Sequence, residues 1–215
     1  DGVSFEEGSF GMLGVIALHG VRKAHVPLGE TVVVVGLGLI GLLTVQILQA
    51  YGFRVFGYDL DQRKCKIANE LGASAESGDW EAFAAQVEQN TSGHGADAVI
   101  LTVSSSDAKP VNRGIRLLRQ GGRVVLVGVA DVHPSRQELW EREAEIVVSK
   151  AGGPGSFDPR YENQGIDYPY APVRWTQQRN LDEFLRLIES GRLEIGPMIT
   201  HRCRIDEAAS VYESL

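Results

Sequence analysis

Cysteine is nearly absent: the 215 residues contain two, Cys65 and Cys203. Far apart in sequence, they make no CxxC-type zinc lobe, and such sparse use suits a reducing cytoplasm over a disulfide-stapled secreted domain. Cys65 reads as a small apolar residue half-buried on a helix. Basic charge is also in deficit, with 21 Lys and Arg against 28 Asp and Glu and a formal net charge of −7, which argues against nucleic acid as a partner. The longest apolar stretch, within residues 31–48, is interrupted by glycines, and the first residues lack the basic segment and cleavage site of a secretory signal. A membrane partner is therefore not expected. Internal repeats and low-complexity tracts are missing as well. The chain begins at Asp1 without methionine and starts and stops against predicted helices, as a piece cut from a longer polypeptide would.

What is present is a composition of 43% hydrophobic and 23% charged residues, enough for one full core and an appended piece. Residues 31–59, TVVVVGLGLIGLLTVQILQAYGFRVFGYD, read as strand, glycine turn, helix and second strand ending in an acid. The β-branched run at 31–35 suits a parallel strand buried on both faces. Gly36, Gly38 and Gly41, with Leu37, Leu39 and Ile40 between them, complete a GxGxxG motif. Gly36 permits the tight turn, Gly38 lets backbone approach a pyrophosphate, and Gly41 lets the helix lie close on the strand. The helix N-terminus offers free N–H groups and partial positive charge to the phosphates. Asp59 lies 18 residues past Gly41, where its carboxylate can accept both hydroxyl protons of an adenosine ribose and repel a 2′-phosphate. Asp59 and the adjacent Leu60 thus complete a dinucleotide site that prefers NAD over NADP. Arg63 and Lys64 stand close enough to accommodate a 2′-phosphate, although basic residues on a solvated helix face explain them more simply. A useful role for Arg63 is to cover the adenine face.

Further along, helices over 61–71, 79–90, 110–119 and 137–142 alternate with strands at 73–76, 98–103, 123–129 and 145–149. Six strands alternating with helices require a parallel sheet with right-handed crossovers. The fold class is therefore α/β, a Rossmann doubly wound sheet of about six strands, with a small α/β tail belonging to a missing catalytic domain. The division expected is a leading helix (1–24), the dinucleotide-binding domain (25–152), an irregular loop (153–180) and the tail (181–215). Ser4 and Glu7 form a capping box opening a helix over 5–23, whose buried stripe is Phe10, Leu13, Ala17 and Val21. His19 beside the stripe reads as a satisfied histidine at a packed edge, and His94 between two glycines as a turn residue. Residues 151–175 are rich in Gly, Pro and Tyr, a long irregular loop of the kind that is functional or a linker. In the tail, a helix over 180–190, a short strand at 198–201 and a helix from Asp206 are expected.

The segments SFEEGSFGMLGVIALHGV, LGETVVVVGLGLIG, VFGYDLDQRK, ANELGA, GADAVI, LLRQGGRVVLVGV and ITHRCRIDEAASVYE together resemble the medium-chain dehydrogenase/reductase superfamily, which includes zinc-type alcohol dehydrogenases. Its members join a catalytic β-domain to a Rossmann cofactor domain. Within it, GGPGSFDPRYENQGIDYPYAPVRWTQQRN resembles bacteriochlorophyllide-dehydrogenase-like proteins and two-part bacterial oxidoreductases, in which such a module precedes a Gfo/Idh/MocA-type domain. The resemblance implies hydride transfer between NAD(P) and an alcohol or carbonyl. It also implies that Val127, Gly128 and Val129 line the nicotinamide, with Thr102, Val103 and Ser104 at the neighbouring strand end. Those strand ends lie on the carboxyl side of the sheet, where open α/β folds bind ligands. In related dehydrogenases the last strand pairs with its twin, which implies a homodimer through residues 145–149; apolar residues on both faces make an unpaired edge a liability.

Zinc-using members carry a cysteine-type ligand before the first long helix, where this chain has Ser9 and Gly11. Serine is a poor zinc ligand beside thiolate or imidazole, which argues against a metal in this chain and weakens the case for one in the longer protein. A catalytic acid cannot be assigned; Lys150, Tyr161, Tyr168 and Arg174 are the loop's candidates, each more simply a surface or packing residue. The chain alone is expected to lack dehydrogenase activity. Two other classes share these features. One is a regulatory or structural module that binds NAD without chemistry; the other is an S-adenosylmethionine-dependent methyltransferase, which also opens on a glycine turn and closes its second strand with an acid.

Overall fold

The computed structural model describes residues 2–214. Its centre is Thr31–Val35 (β1), where five consecutive residues are buried. Alternate side chains of a strand face opposite ways, and β1 uses this fully. Val32 and Val34 enter one core with Leu18, Leu43 and Phe184, while Val33 and Val35 enter another with Phe83, Val111 and Ile115. Each fully buried valine contributes roughly 1.5–3 kcal/mol.

After β1 come Leu39–Ala50 (α3), Arg54–Tyr58 (β2), Gln62–Glu70 (α4), Ser74–Glu76 (β3), Trp80–Asn90 (α5) and Ala96–Leu101 (β4). Lys109–Leu117 (α6), Leu118–Leu126 (β5), Arg136–Arg142 (α7) and Glu145–Val148 (β6) complete the layers. The six strands form one parallel sheet in the order β3-β2-β1-β4-β5-β6. The order reverses between β1 and β4, the switch point at whose carboxyl ends such sheets bind ligands.

Three predicted elements differ. The leading helix is two, Phe5–Gly8 (α1) and Gly11–Ala24 (α2). The capping box forms, with the Glu7 carboxylate accepting the Ser4 N–H at 2.8 Å, but the Ser9 hydroxyl donates to the Glu6 carbonyl at 2.7 Å and the chain breaks before Gly11. The face that α2 buries is centred on Gly14, Ala17 and Leu18; a Cβ on Gly14 would stand 2.3 Å from the Phe184 ring. The fifth strand starts five residues earlier than the predicted Arg123, at Leu118. Leu118 pairs with Ala96 and Arg123 with Ala98, so Gly121 and Gly122 lie inside an irregular strand entry instead of ending a helix. In the tail, Gly196–Met198 is a 3₁₀ turn that takes Met198 from the strand expected at 198–201, with Pro197 in its first positions, where a fixed φ suits a helical entry.

The loop after β6 has one short helix, Pro159–Glu162 (α8), before Gln177–Glu189 (α9) and the last helix, Ala208–Ser214 (α10). It is fastened rather than loose. Arg179 pairs with Asp167 at 2.6 Å and donates to the Tyr168 carbonyl at 2.7 Å. Arg22 stacks 3.3 Å from the centre of the Trp175 ring and donates to Asn180 Oδ1 at 2.8 Å. No helix among the described residues is long and apolar enough to cross a membrane.

Candidate functional site

A cleft of about 910 Å³ opens at the switch point. The turn after β1 contributes Gly36 and Gly38, the end of β2 contributes Tyr58, Asp59 and Leu60, α4 contributes Lys64, and the end of β4 contributes Thr102, Val103 and Ser104. The turn is shaped as the glycine motif requires. Gly36 has φ +94° and a Cβ there would meet Val103 at 2.7 Å, whereas a Cβ on Gly41 would stand 2.0 Å from the Gly36 carbonyl oxygen. Gly38, the N-cap of α3, has no atom within 4 Å of the position its Cβ would take. That open space above a helix N-terminus is where a pyrophosphate needs backbone N–H groups within reach.

The Asp59 carboxylate accepts the Leu37 N–H at 2.7 Å on one oxygen and the Asp61 N–H at 2.9 Å on the other. A carboxylate has about four acceptor sites, so each oxygen keeps a lone pair for a ribose hydroxyl. Lys64 Nζ stands 3.7 Å from Asp59 Oδ1. The Thr102 hydroxyl donates to the Gly36 carbonyl at 2.5 Å, which binds the end of β4 to the turn. Beside it, Ser104 and Val129 form a parallel bridge, and Ser105 donates its N–H to the Val129 carbonyl at 2.8 Å.

The residues singled out in the sequence therefore divide. Gly36, Gly38, Asp59, Leu60, Thr102, Val103 and Ser104 line the cleft. Gly41 packs behind the turn, and Leu39 and Ile40 begin α3 without lining it. Val127, Gly128 and Val129 follow β5 next to the β4 end, outside the lining residues. Arg63 lies elsewhere, because its guanidinium is drawn onto Asp61 at 2.9 Å and borders a separate hollow with Lys66 and Glu70. Sequence reasoning missed Trp80, Lys109, Pro110 and Arg113, which line the cleft; the signal was two basic residues four apart at the start of the helix after β4.

The loop's acid candidates are engaged within the loop. Lys150 donates to the Ser156 carbonyl at 3.3 Å and lies over Phe157. Tyr161 accepts the Gln178 N–H at 2.9 Å, and Tyr168 donates to Asp158 at 2.6 Å, a bond that raises the Tyr168 phenol. Arg174 stacks on Trp175 and Tyr170. His19 is buried against Gly153; burial, then the charges of Lys23 and Arg22, lowers its pKa to about 4.

This is the architecture of a dinucleotide-binding α/β domain. A family model for zinc-binding dehydrogenases matches residues 40–162, more than half of the chain, and the chain belongs to that family. It is 31% identical to L-idonate 5-dehydrogenase of Vitis vinifera over 94% of this chain and 50% of that protein. To a protein described as putative alcohol dehydrogenase D of Mycobacterium tuberculosis it is 28% identical, over 91% and 49% respectively. Among solved structures, a putative zinc-binding dehydrogenase from Sinorhizobium meliloti 1021, bound to NADP, is 29% identical with a TM-score of 0.71, covering 94% of this chain and 54% of that one. The chain spans about half the length of the relatives it matches. Zinc, which the family's name implies, finds no donor set here: Ser9 is turned onto Glu6, Gly11 has no side chain, Cys65 is buried against the Glu76 carbonyl, and no group of three His, Cys, Asp or Glu among the described residues can hold a metal.

Proposed function

We propose that this chain is the NAD(H)-binding half of an oxidoreductase that transfers hydride between a nicotinamide and a small alcohol or its carbonyl, and that NAD is preferred over NADP. The observation that carries the reading is Asp59 and the open face of Gly38 in one cleft, two acceptor positions for a ribose facing a helix N-terminus for phosphates. When bound, the nicotinamide accepts or donates the hydride. The chain's own groups hold the cofactor: N–H groups at the start of α3 take the pyrophosphate, and Asp59 takes the ribose hydroxyls and disfavours a 2′-phosphate. Residues 127–129 and 102–104 lie at the nicotinamide end, where a few backbone polar groups orient the carboxamide and the exposed Val129 walls the reactive ring on one side, while Val127 packs against Gly20.

In this reading residues 25–152 form the cofactor domain, led by residues 1–24 and followed by the irregular loop 153–180, and the tail, residues 181–215, packs Phe184 and Leu187 on this domain's core and returns from there towards a catalytic domain outside this chain. The substrate is selected there, so the chain alone turns over no alcohol: holding substrate, stabilising an alkoxide and excluding water all require that domain. The protein works in the cytoplasm as a homodimer joined along residues 145–149. Calorimetric titration tests the core of the reading. NADH is expected to bind and S-adenosylmethionine not to; binding of S-adenosylmethionine alone would replace the dehydrogenase reading with a methyltransferase.

A further inference from the structure

We propose that Arg113 is the platform on which the adenine of the bound dinucleotide stacks, its guanidinium held between the base and the indole of Trp80. The inference rests on the cofactor reading above and assigns a residue to the base attached to the ribose that Asp59 holds.

Arg113 lies one turn after Lys109 on α6 and lines the same cleft as Gly38 and Asp59, together with Tyr58, Trp80 and Pro110. Its guanidinium carbon is 4.8 Å from the centre of the Trp80 ring. The indole is itself fixed: it is 5% exposed, meets Tyr58 edge-on at 4.8 Å and 83°, and touches Phe83 at 5.5 Å. A guanidinium laid on such a ring presents a second flat face.

Its neighbours show what Arg113 is not for. Arg116 pairs with Glu138 at 2.7 Å, Arg119 with Asp97 at 2.6 Å and Arg63 with Asp61 at 2.9 Å. The Arg113 side chain, among the described residues, makes no ion pair and no hydrogen bond; its ring contact is with Trp80. A cation kept at a cleft wall without a carboxylate, on an aromatic support, is arranged for a planar ligand rather than for the fold. Tyr58, which supports Trp80, immediately precedes Asp59, so a base attached to a ribose on Asp59 emerges beside this stack. Arg63, the obvious sequence candidate for the adenine face, is spent on Asp61.

The test measures affinities of the wild-type protein, Arg113→Ala and Arg113→Lys for NADH, ADP-ribose and nicotinamide hypoxanthine dinucleotide. Removing the platform is expected to weaken all three by roughly tenfold, the scale of a desolvated cation–π contact. ADP-ribose loses as much as NADH because the nicotinamide is not involved. The hypoxanthine analogue loses as much because stacking tolerates a changed base edge. Arg113→Lys keeps the charge without the plane and recovers less than half of the loss on a logarithmic scale. Full recovery by lysine would make Arg113 a point charge for phosphate and overturn the proposal, as would unchanged ADP-ribose affinity or a loss confined to the adenine ligands. If Arg113→Ala does not fold, Arg113→Lys decides alone: wild-type affinity overturns the platform and a severalfold loss supports it. Failure of the wild-type protein to bind NADH at all would instead remove the cofactor reading and this inference with it.

Discussion

The Asp59 carboxylate accepts the backbone N–H of Leu37 at 2.7 Å, so the acid that ends β2 grips the glycine turn that follows β1. The end of β2 and the glycine turn are thereby one unit: the acid proposed for the ribose also fixes the peptide next to Gly38. Lys64, 3.7 Å from the same carboxylate, is the cation that Asp59 holds in check.

Asp59→Ala should therefore weaken NADH binding by more than about tenfold, the low end of a lost charge-assisted hydrogen bond, and narrow its advantage over NADPH by freeing Lys64 for the 2′-phosphate. The double variant Asp59→Ala with Lys64→Ala should lose NADH without that relative gain for NADPH. Calorimetry with both nucleotides measures this; tighter binding of NADPH by the unmodified protein would mean that Asp59 does not set the preference.

Gly38 and Gly41 should fail differently. Gly38 has ordinary extended dihedrals and open space, so Gly38→Val should keep its melting temperature while losing detectable NADH binding. At Gly41 any side chain meets the Gly36 carbonyl, and Gly41→Val should cost more than about 3 kcal/mol of stability. Thermal melts beside titrations separate the two; equal destabilisation would refute the division of roles.

His19 links stability to pH. Its pKa is lowered from 6.5 to about 4 by burial and by Lys23 and Arg22, so the unfolded chain takes up the proton first. The stabilising contribution is complete above the unfolded value and is lost as pH falls from 6.5 towards 4, with a slope of up to about 1.4 kcal/mol per pH unit. Urea unfolding of the wild-type protein and His19→Gln at several pH values should show a shallower slope for the variant; parallel slopes would show that His19 titrates normally.

β6 is an edge strand of the sheet, with Val148 66% and Trp140 75% exposed. If this edge joins two copies, Val148→Lys should halve the mass seen by light scattering well above micromolar concentration, since charge at an edge opposes pairing. A wild-type monomer under the same conditions would exclude the homodimer.

Much of this molecule was legible in the sequence for a physical reason: β1 and α3 are local signals in which pattern, glycine placement and burial agree. The outer parts were not. Gly121 and Gly122 carry a helix-ending signal, yet pairing with Ala96, a contact distant in sequence, recruits them to β5. Pro197, just before the expected tail strand, was a visible signal for a helical turn there. At the cleft, the place of Asp59 follows from spacing alone, whereas Arg113 lining it and Arg63 not lining it depend on which partner lies within reach, Trp80 for one and Asp61 for the other. Neither pairing leaves a periodic trace.

The strand order has a consequence during synthesis. β1 lies between β2 and β4, but a ribosome delivers β1, β2 and β3 well before β4. The nascent chain therefore carries the run Thr31–Val35 with one edge unpaired until residues beyond Leu101 have emerged, and parallel pairing across such separations is slow. An unpaired, β-branched edge without charge is the surface that aggregation and holding chaperones compete for. The valines that later form the centre of the sheet are thus a vulnerable segment while translation is under way.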